Sequence, residues 1–100
     1  MKVIADFCIV PIGVGVSLSE YITACEQILA GYPVRTHLHA YGTNIEGEWD
    51  EVFTAIKQCH DKVHSMGAPR ISSTIRIGTR TDREQTMDAK VASVRDKLES

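Results

Sequence analysis

Between Tyr41 and Val52 the chain passes from an extended run to a helical one, and the segment in between carries two glycines and four carboxylates. Glycine reaches the positive φ that a tight strand connection uses, and Asn44 tolerates that region better than most residues. Gly42–Gly47 therefore reads as a hairpin corner. A corner does not require Thr43 or Glu46, so both side chains are candidates for holding a ligand as well as for shaping the turn.

Before this stretch, Val3–Ile12 is apolar and β-branched, and Pro11, Gly13 and Gly15 punctuate its end. Period two sets Val3, Ala5, Phe7 and Ile9 on one face, and Ile4, Asp6, Cys8 and Val10 on the other. The Gly-Val-Gly that follows lacks the further residues of a phosphate loop and reads as plain connection. Ser17 and Glu20 have capping-box spacing, which predicts a helix from Ser17 with Ile22, Cys25, Ile28 and Leu29 as its buried stripe and Gly31 and Pro33 as its stop. Val34–Tyr41 alternates again, with Val34, Thr36, Leu38 and Ala40 against Arg35, His37, His39 and Tyr41.

After the corner, Trp49–Met66 repeats Val52, Phe53, Ile56, Cys59 and Val63 at helical spacing and meets its stop at Gly67. Arg70–Arg80 predicts a last strand, Ile71, Ser73, Ile75 and Ile77 opposing Ser72, Thr74 and Arg76. Thr81 and Glu84 form a second capping-box pair ahead of Met87, Val91, Val94 and Leu98, a final amphipathic helix. The order predicts an α+β, ferredoxin-like β-α-β-β-α-β sandwich with an extra C-terminal helix, one domain over residues 1–100. Helices then cover one sheet face. The other gathers Asp6, Cys8, His37, His39, Tyr41, Ser72, Thr74 and Arg76, together with Ile4, Val10 and Ile12, an apolar patch that calls for a cover. Such a face is a subunit interface with a polar network, the wall of a ligand pocket, or both.

Several function classes are disfavoured. A formal net charge of −2 gives no basic excess for nucleic acid. Apolar runs fall well short of the ~20 residues that span a bilayer, so no membrane partner is expected and the location is read as cytoplasmic. Three cysteines without a Cys-Xaa-Xaa-Cys pair read as buried thiols. His37 with His39, and His60 with His64, have spacings that point two imidazoles one way, but each lacks a third ligand, so no metal site is assigned. No cofactor fingerprint is present, and no nucleophile has a base and orienting group in recognisable context; Cys8 with His37 is the one conceivable pair. A non-enzymatic protein is expected. At 100 residues, it gains appreciably from burying apolar surface in a homo-oligomer.

Taken together, Pro11-Ile12-Gly13, Ser19, Gly42-Thr43-Asn44-Ile45-Glu46-Gly47, Glu51-Val52, His60, Gly67-Ala68-Pro69-Arg70, Thr74-Ile75-Arg76-Ile77 and Arg80-Thr81-Asp82 resemble the thiamine-binding, YkoF-like family of small ferredoxin-like proteins. The resemblance spans nearly the whole chain, and Gly-Thr-Xaa-Ile-Glu-Gly is its most specific part. It implies a short cytoplasmic protein without recognised catalytic activity, commonly a homotetramer, that takes thiamine or its hydroxymethylpyrimidine portion. For such a ligand the chain offers Asp6 or Glu46 to the aminopyrimidine, Thr43 and Thr74 to its edge, Tyr41 for stacking and His37 on the same face. Arg76 would repel a thiazolium unless a carboxylate neutralised it. The competing reading is a structural or regulatory homo-oligomer without a small-molecule ligand, Gly42, Thr43 and Gly47 building the hairpin and Glu46 pairing with an arginine.

Overall fold

The computed structural model describes residues 1–100. Four strands, β1 (Lys2–Ile12), β2 (Arg35–His39), β3 (Gly42–Glu48) and β4 (Arg70–Thr79), form one antiparallel sheet in the order β2-β3-β1-β4. Helices α1 (Ser19–Ala30) and α2 (Trp49–Ser65) provide the two crossovers, and α3 (Met87–Glu99) follows β4. This is the ferredoxin-like fold with a C-terminal helix, as the periodicity predicts.

The alternation of β1 decides what lies where. Val3, Ala5, Phe7 and Ile9 are all buried against Cys25 and Leu29 of α1 and Val52, Ala55, Ile56, Cys59 and Val63 of α2, in one core cluster. Ile45 of β3 joins them, fully enclosed, while Ile71 and Ile75 of β4 are half-buried at its margin. Three residues on the faces expected to point inward lie outside this core: Leu38 is 62% exposed and Ile77 41%, because the two helices do not reach the ends of the outer strands, and Ala40 is exposed in the turn after β2. The Cys59 thiol approaches the Cys25 carbonyl at 3.7 Å. Hydrogen bonding to Cys25, then burial, push the Cys59 thiol far above the ordinary cysteine range, which suits a core residue and not a nucleophile.

The corner predicted at Gly42–Gly47 is displaced. His39 pairs with Gly42, so the reversal occupies Ala40 and Tyr41, and Gly42–Glu48 is itself strand β3. Neither Gly42 nor Gly47 has a positive φ. They are glycines because a side chain would not fit: a Cβ on Gly42 would stand 2.6 Å from the Phe7 carbonyl oxygen, and one on Gly47 2.9 Å from Val34.

Both predicted capping boxes are also displaced. Helix α1 begins at Ser19 behind Leu18, with no side-chain cap, and the cap of α3 is Thr86, whose hydroxyl accepts the Ala89 amide at 3.0 Å. Ser17 and Thr81 have the right spacing to their glutamates, but the chain is not yet helical there.

The second sheet face is not wholly bare. The start of α3 sits on it over β2 and β3: the Met87 amide donates to Glu46 Oε1 at 2.6 Å, and Asp88 takes Arg35 at 2.9 Å and His37 at 3.0 Å. Beyond Met87, which is buried, every residue of α3 is exposed, including Val91, Val94 and Leu98.

Candidate ligand-binding groove

Even-numbered positions of β1, β3 and β4 point to the face opposite α1 and α2, and the sheet register ranks them in rows. One row runs His37, Asn44, Asp6, Arg76; the next runs Arg35, Glu46, Ile4, Gly78. Opposite partners in antiparallel strands hold their Cβ atoms about 4.5–5.5 Å apart, so each row is a line of interacting side chains. Over the ends of these rows passes the connection from β4 to α3, Arg80–Thr86. Sheet, connection and the first turn of α3 enclose an open groove of about 1210 Å³, lined by Ile4, Asp6, Asn44, Glu46, Arg76 and Gly78 among others.

The connection is braced from within. Arg80 grips Asp82 through two bonds, Nε to Oδ1 at 2.6 Å and Nη2 to Oδ2 at 2.8 Å, and its Nη1 reaches Gln85 Oε1 at 3.1 Å. The Arg80 guanidinium holds the Asp82 carboxyl down to about 2. Gly78 is the low point of the floor: a Cβ there would meet nothing within 4 Å.

Glu46 is the least expected feature. It is a carboxylate on the open face, yet only 8% exposed, because α3 closes over it and takes its Oε1 as an anchor. Its other oxygen makes no hydrogen bond within the chain. A carboxylate at a helix N-terminus meets unpaired amides and the positive end of the helix dipole, which offsets the cost of enclosing it. Asp6 is held differently: its Oδ1 accepts from His39 Nε2 at 2.6 Å and from Asn44 Nδ2 at 3.3 Å. His39 in turn accepts the Tyr41 amide on Nδ1 at 3.3 Å, so both ring nitrogens are engaged.

The six residues singled out in the sequence are thus distributed over five places. Asp6 and Glu46 line the groove. His37 lies beside it, in a smaller hollow of about 480 Å³ under α3, and is bonded to Asp88. Thr74 stands on the same sheet face two positions further along β4, opposite Cys8 and outside both hollows. Tyr41 is 87% exposed in the hairpin turn. Thr43 points the other way: it is buried on the helix side, where its hydroxyl donates to Glu26 Oε2 at 3.0 Å.

The remaining histidines are structural partners. His60 hydrogen-bonds Ser73 Oγ at 2.6 Å, and His64 Nδ1 donates to the Ala68 carbonyl at 2.8 Å. Burial, and then the nearby His64, hold His60 below the ordinary histidine value. Cys8 and His37 fall in different rows, which separates the one pair that resembled a catalytic dyad.

Two groove residues carried no mark in the sequence. Asn44 was read as a turn residue, but as a strand residue it faces Asp6. Gly78 sits in an ordinary strand run, and only the absence of anything above it shows what it does.

Residues 5–95 match the family model of the thiamine-binding protein. A protein of Synechocystis sp. grouped as UPF0045 is 60% identical over 100 residues, covering 100% of this chain and 83% of the relative. One from Eremothecium gossypii, also grouped as UPF0045, is 40% identical over 99 residues, 98% of this chain and 94% of the relative. Among solved structures, a protein of Methanocaldococcus jannaschii superimposes with a TM-score of 0.88 at 32% identity, covering 95% of this chain and 97% of that one. A Thermotoga maritima protein described as a candidate for thiamine biosynthesis or salvage shares the fold, with a TM-score of 0.80 at 20% identity over 94% of this chain and 99% of that one. None of these descriptions names a reaction. With a ferredoxin-like sheet, a groove against Asp6 and Glu46, and a match that runs from β1 into α3, the chain belongs to the thiamine-binding protein family.

Proposed function

We propose that the protein binds thiamine, or its hydroxymethylpyrimidine portion, without transforming it, in the groove between the open sheet face and the β4–α3 connection. The observation that carries this reading is the pair Asp6 and Glu46 on the groove wall, inside the segment matched by the family. An aminopyrimidine presents an exocyclic amine and ring nitrogens along one edge, and a carboxylate with a free oxygen suits the amine. Glu46 has such an oxygen, and Asp6 has Oδ2 free of bonds within the chain. Carboxylates also favour the thiazolium cation. His37, Tyr41, Thr43 and Thr74 have other positions and are not needed for this contact.

The protein acts, in this reading, as a cytoplasmic homo-oligomer, a dimer or tetramer. Val91, Val94 and Leu98 on α3 and Val10 and Ile12 on β1 are 38–79% exposed, an apolar stripe and patch of the kind that a second subunit covers. The same surface supports the competing reading, a purely structural oligomer with an empty groove.

Calorimetric titration with thiamine separates the two. Gly78→Val fills the groove floor without backbone strain, since nothing lies within 4 Å of the new Cβ. Saturable binding lost in Gly78→Val and weakened about ten-fold or more in Asp6→Asn, the scale of one hydrogen bond to a charged group, is the expected result. Absence of heat at millimolar thiamine, with dimers or tetramers in sedimentation, would leave the structural oligomer.

A further inference from the structure

The groove has a second chemical character that thiamine alone does not use. Five basic side chains line it against four carboxylates, on a protein whose overall formal charge is −2. Of the four carboxylates, Asp6, Glu46 and Glu48 are bonded elsewhere, to His39 and Asn44, to the Met87 amide and to the Met1 ammonium respectively; Glu84 alone makes no bond. Of the five basic residues, Arg80 is paired with Asp82. Lys2, Arg76, Arg83 and Lys90 make no ion pair and donate no side-chain hydrogen bond.

Arg76 is the telling case. The register places it directly opposite Asp6 on the neighbouring strand, where a cross-strand ion pair would ordinarily form. Instead Asp6 is turned to the other side, to His39 and Asn44, and the guanidinium is left without a partner beside the bare floor at Gly78. Lys2 repeats the pattern: its register partner Glu48 is taken by the Met1 ammonium at 2.9 Å. The free cations come from four separate elements, β1, β4, the β4–α3 connection and α3, and meet at one groove.

We infer that the groove carries an anion subsite centred on Arg76, and that the bound molecule is a phosphate ester of the cationic heterocycle, held by its ring at Asp6 and Glu46 and by its phosphate at Arg76 with Arg83 and Lys90. This rests on the reading of the groove as a thiamine site and narrows its ligand class. A phosphate monoester carries about −1.5 to −2 at neutral pH and three acceptor oxygens, and a guanidinium fork meets two of them at once. The phosphate would neutralise the arginine that otherwise repels a thiazolium. Space allows it: about 1210 Å³ exceeds the roughly 300–1,000 Å³ of a typical small-molecule pocket.

The test is calorimetry on the full chain at low salt and at 0.15 M salt, with thiamine, thiamine monophosphate and inorganic pyrophosphate, on the native protein and on Arg76→Gln. Arg76 is exposed and unpaired, so the substitution leaves the fold intact, which circular dichroism checks. The expected result is at least about ten-fold tighter binding of the monophosphate than of thiamine, the gain from one charge-assisted pair, shrinking in salt and erased in Arg76→Gln. Equal affinity for the two vitamins, or an advantage that survives Arg76→Gln, overturns the anion subsite while the thiamine reading stands. If both vitamins fail but pyrophosphate binds in an Arg76-dependent way, the subsite stands and the thiamine reading falls. Failure of all three molecules overturns both.

Discussion

Removing the Glu46 carboxylate should release α3 from the sheet. Little holds this helix: of its 13 residues only Met87 is buried, and its remaining ties are the Glu46–Met87 amide bond and the Asp88 bridges to Arg35 and His37. Those bridges are more than half exposed, so each contributes about 0–1 kcal/mol. The Glu46 bond is enclosed and charge-assisted, and leaving the Met87 amide without an acceptor costs roughly 1–3 kcal/mol. A free helix of this length is marginal in water. In Glu46→Ala the docking terms that remain therefore do not keep α3 folded on its own, while the core formed by α1, α2 and the sheet is untouched.

Hydrogen exchange read by mass spectrometry on Glu46→Ala should show amides of residues 87–99 losing protection, with β1, β4 and α2 unchanged. Glu46→Gln retains an oxygen acceptor and should fall between the two. The measurement belongs at a protein concentration where sedimentation shows a monomer, because a second subunit seated on Val91, Val94 and Leu98 would hold α3 independently. Full protection of residues 87–99 in monomeric Glu46→Ala would refute the claim that this carboxylate anchors the helix.

Two further outcomes follow from local geometry. Gly42→Ala places a Cβ 2.6 Å from the Phe7 carbonyl oxygen, a backbone atom that cannot swing away, and should cost about 1–3 kcal/mol in urea unfolding; a cost near zero would mean that the hairpin shifts freely. His60 is held below its ordinary value of 6.5, so the unfolded chain binds its proton first as the pH falls. Its contribution to stability is present above about 6.5 and is lost as the pH drops through the folded value; thermal unfolding between pH 7 and 5 should show a decline that flattens in His60→Asn, and an identical decline in the variant would assign it to other groups.

What could be read from the chain and what could not divide along one physical line. Val3, Ala5, Phe7 and Ile9, and the α2 stripe from Val52 to Val63, were legible because burial on a regular element leaves a period in the sequence. The β3 strand was hidden because a glycine chosen for close approach looks the same as one chosen for positive φ, and Gly42 and Gly47 are of the first kind. The capping residues were misplaced by the same sort of ambiguity: Ser17 and Thr81 carry the correct spacing, and only the backbone decides which hydroxyl meets an amide. Of the candidate site, Asp6 was legible as the one charge on its face of the run Val3–Ile12. The enclosure of Glu46 was not, since it depends on where a helix 41 residues further along comes to rest. Nor was Thr43, whose side of the sheet reversed when the corner became a strand.

The place of β1 at the centre of the sheet bears on how the protein is made. Its first strand pairs with β3 and β4, never with a neighbour in sequence, and its last partner, Thr79, is 76 residues from Val3. A nascent chain therefore carries an apolar, β-branched strand with both edges open until β3 has emerged, and one edge open until the fourth strand has left the ribosome. Translation at about 5–20 residues per second makes that interval several seconds, long compared with hairpin closure in microseconds. Premature release upstream of Arg70 would leave the same strand without its longest partner, a template for pairing with another chain.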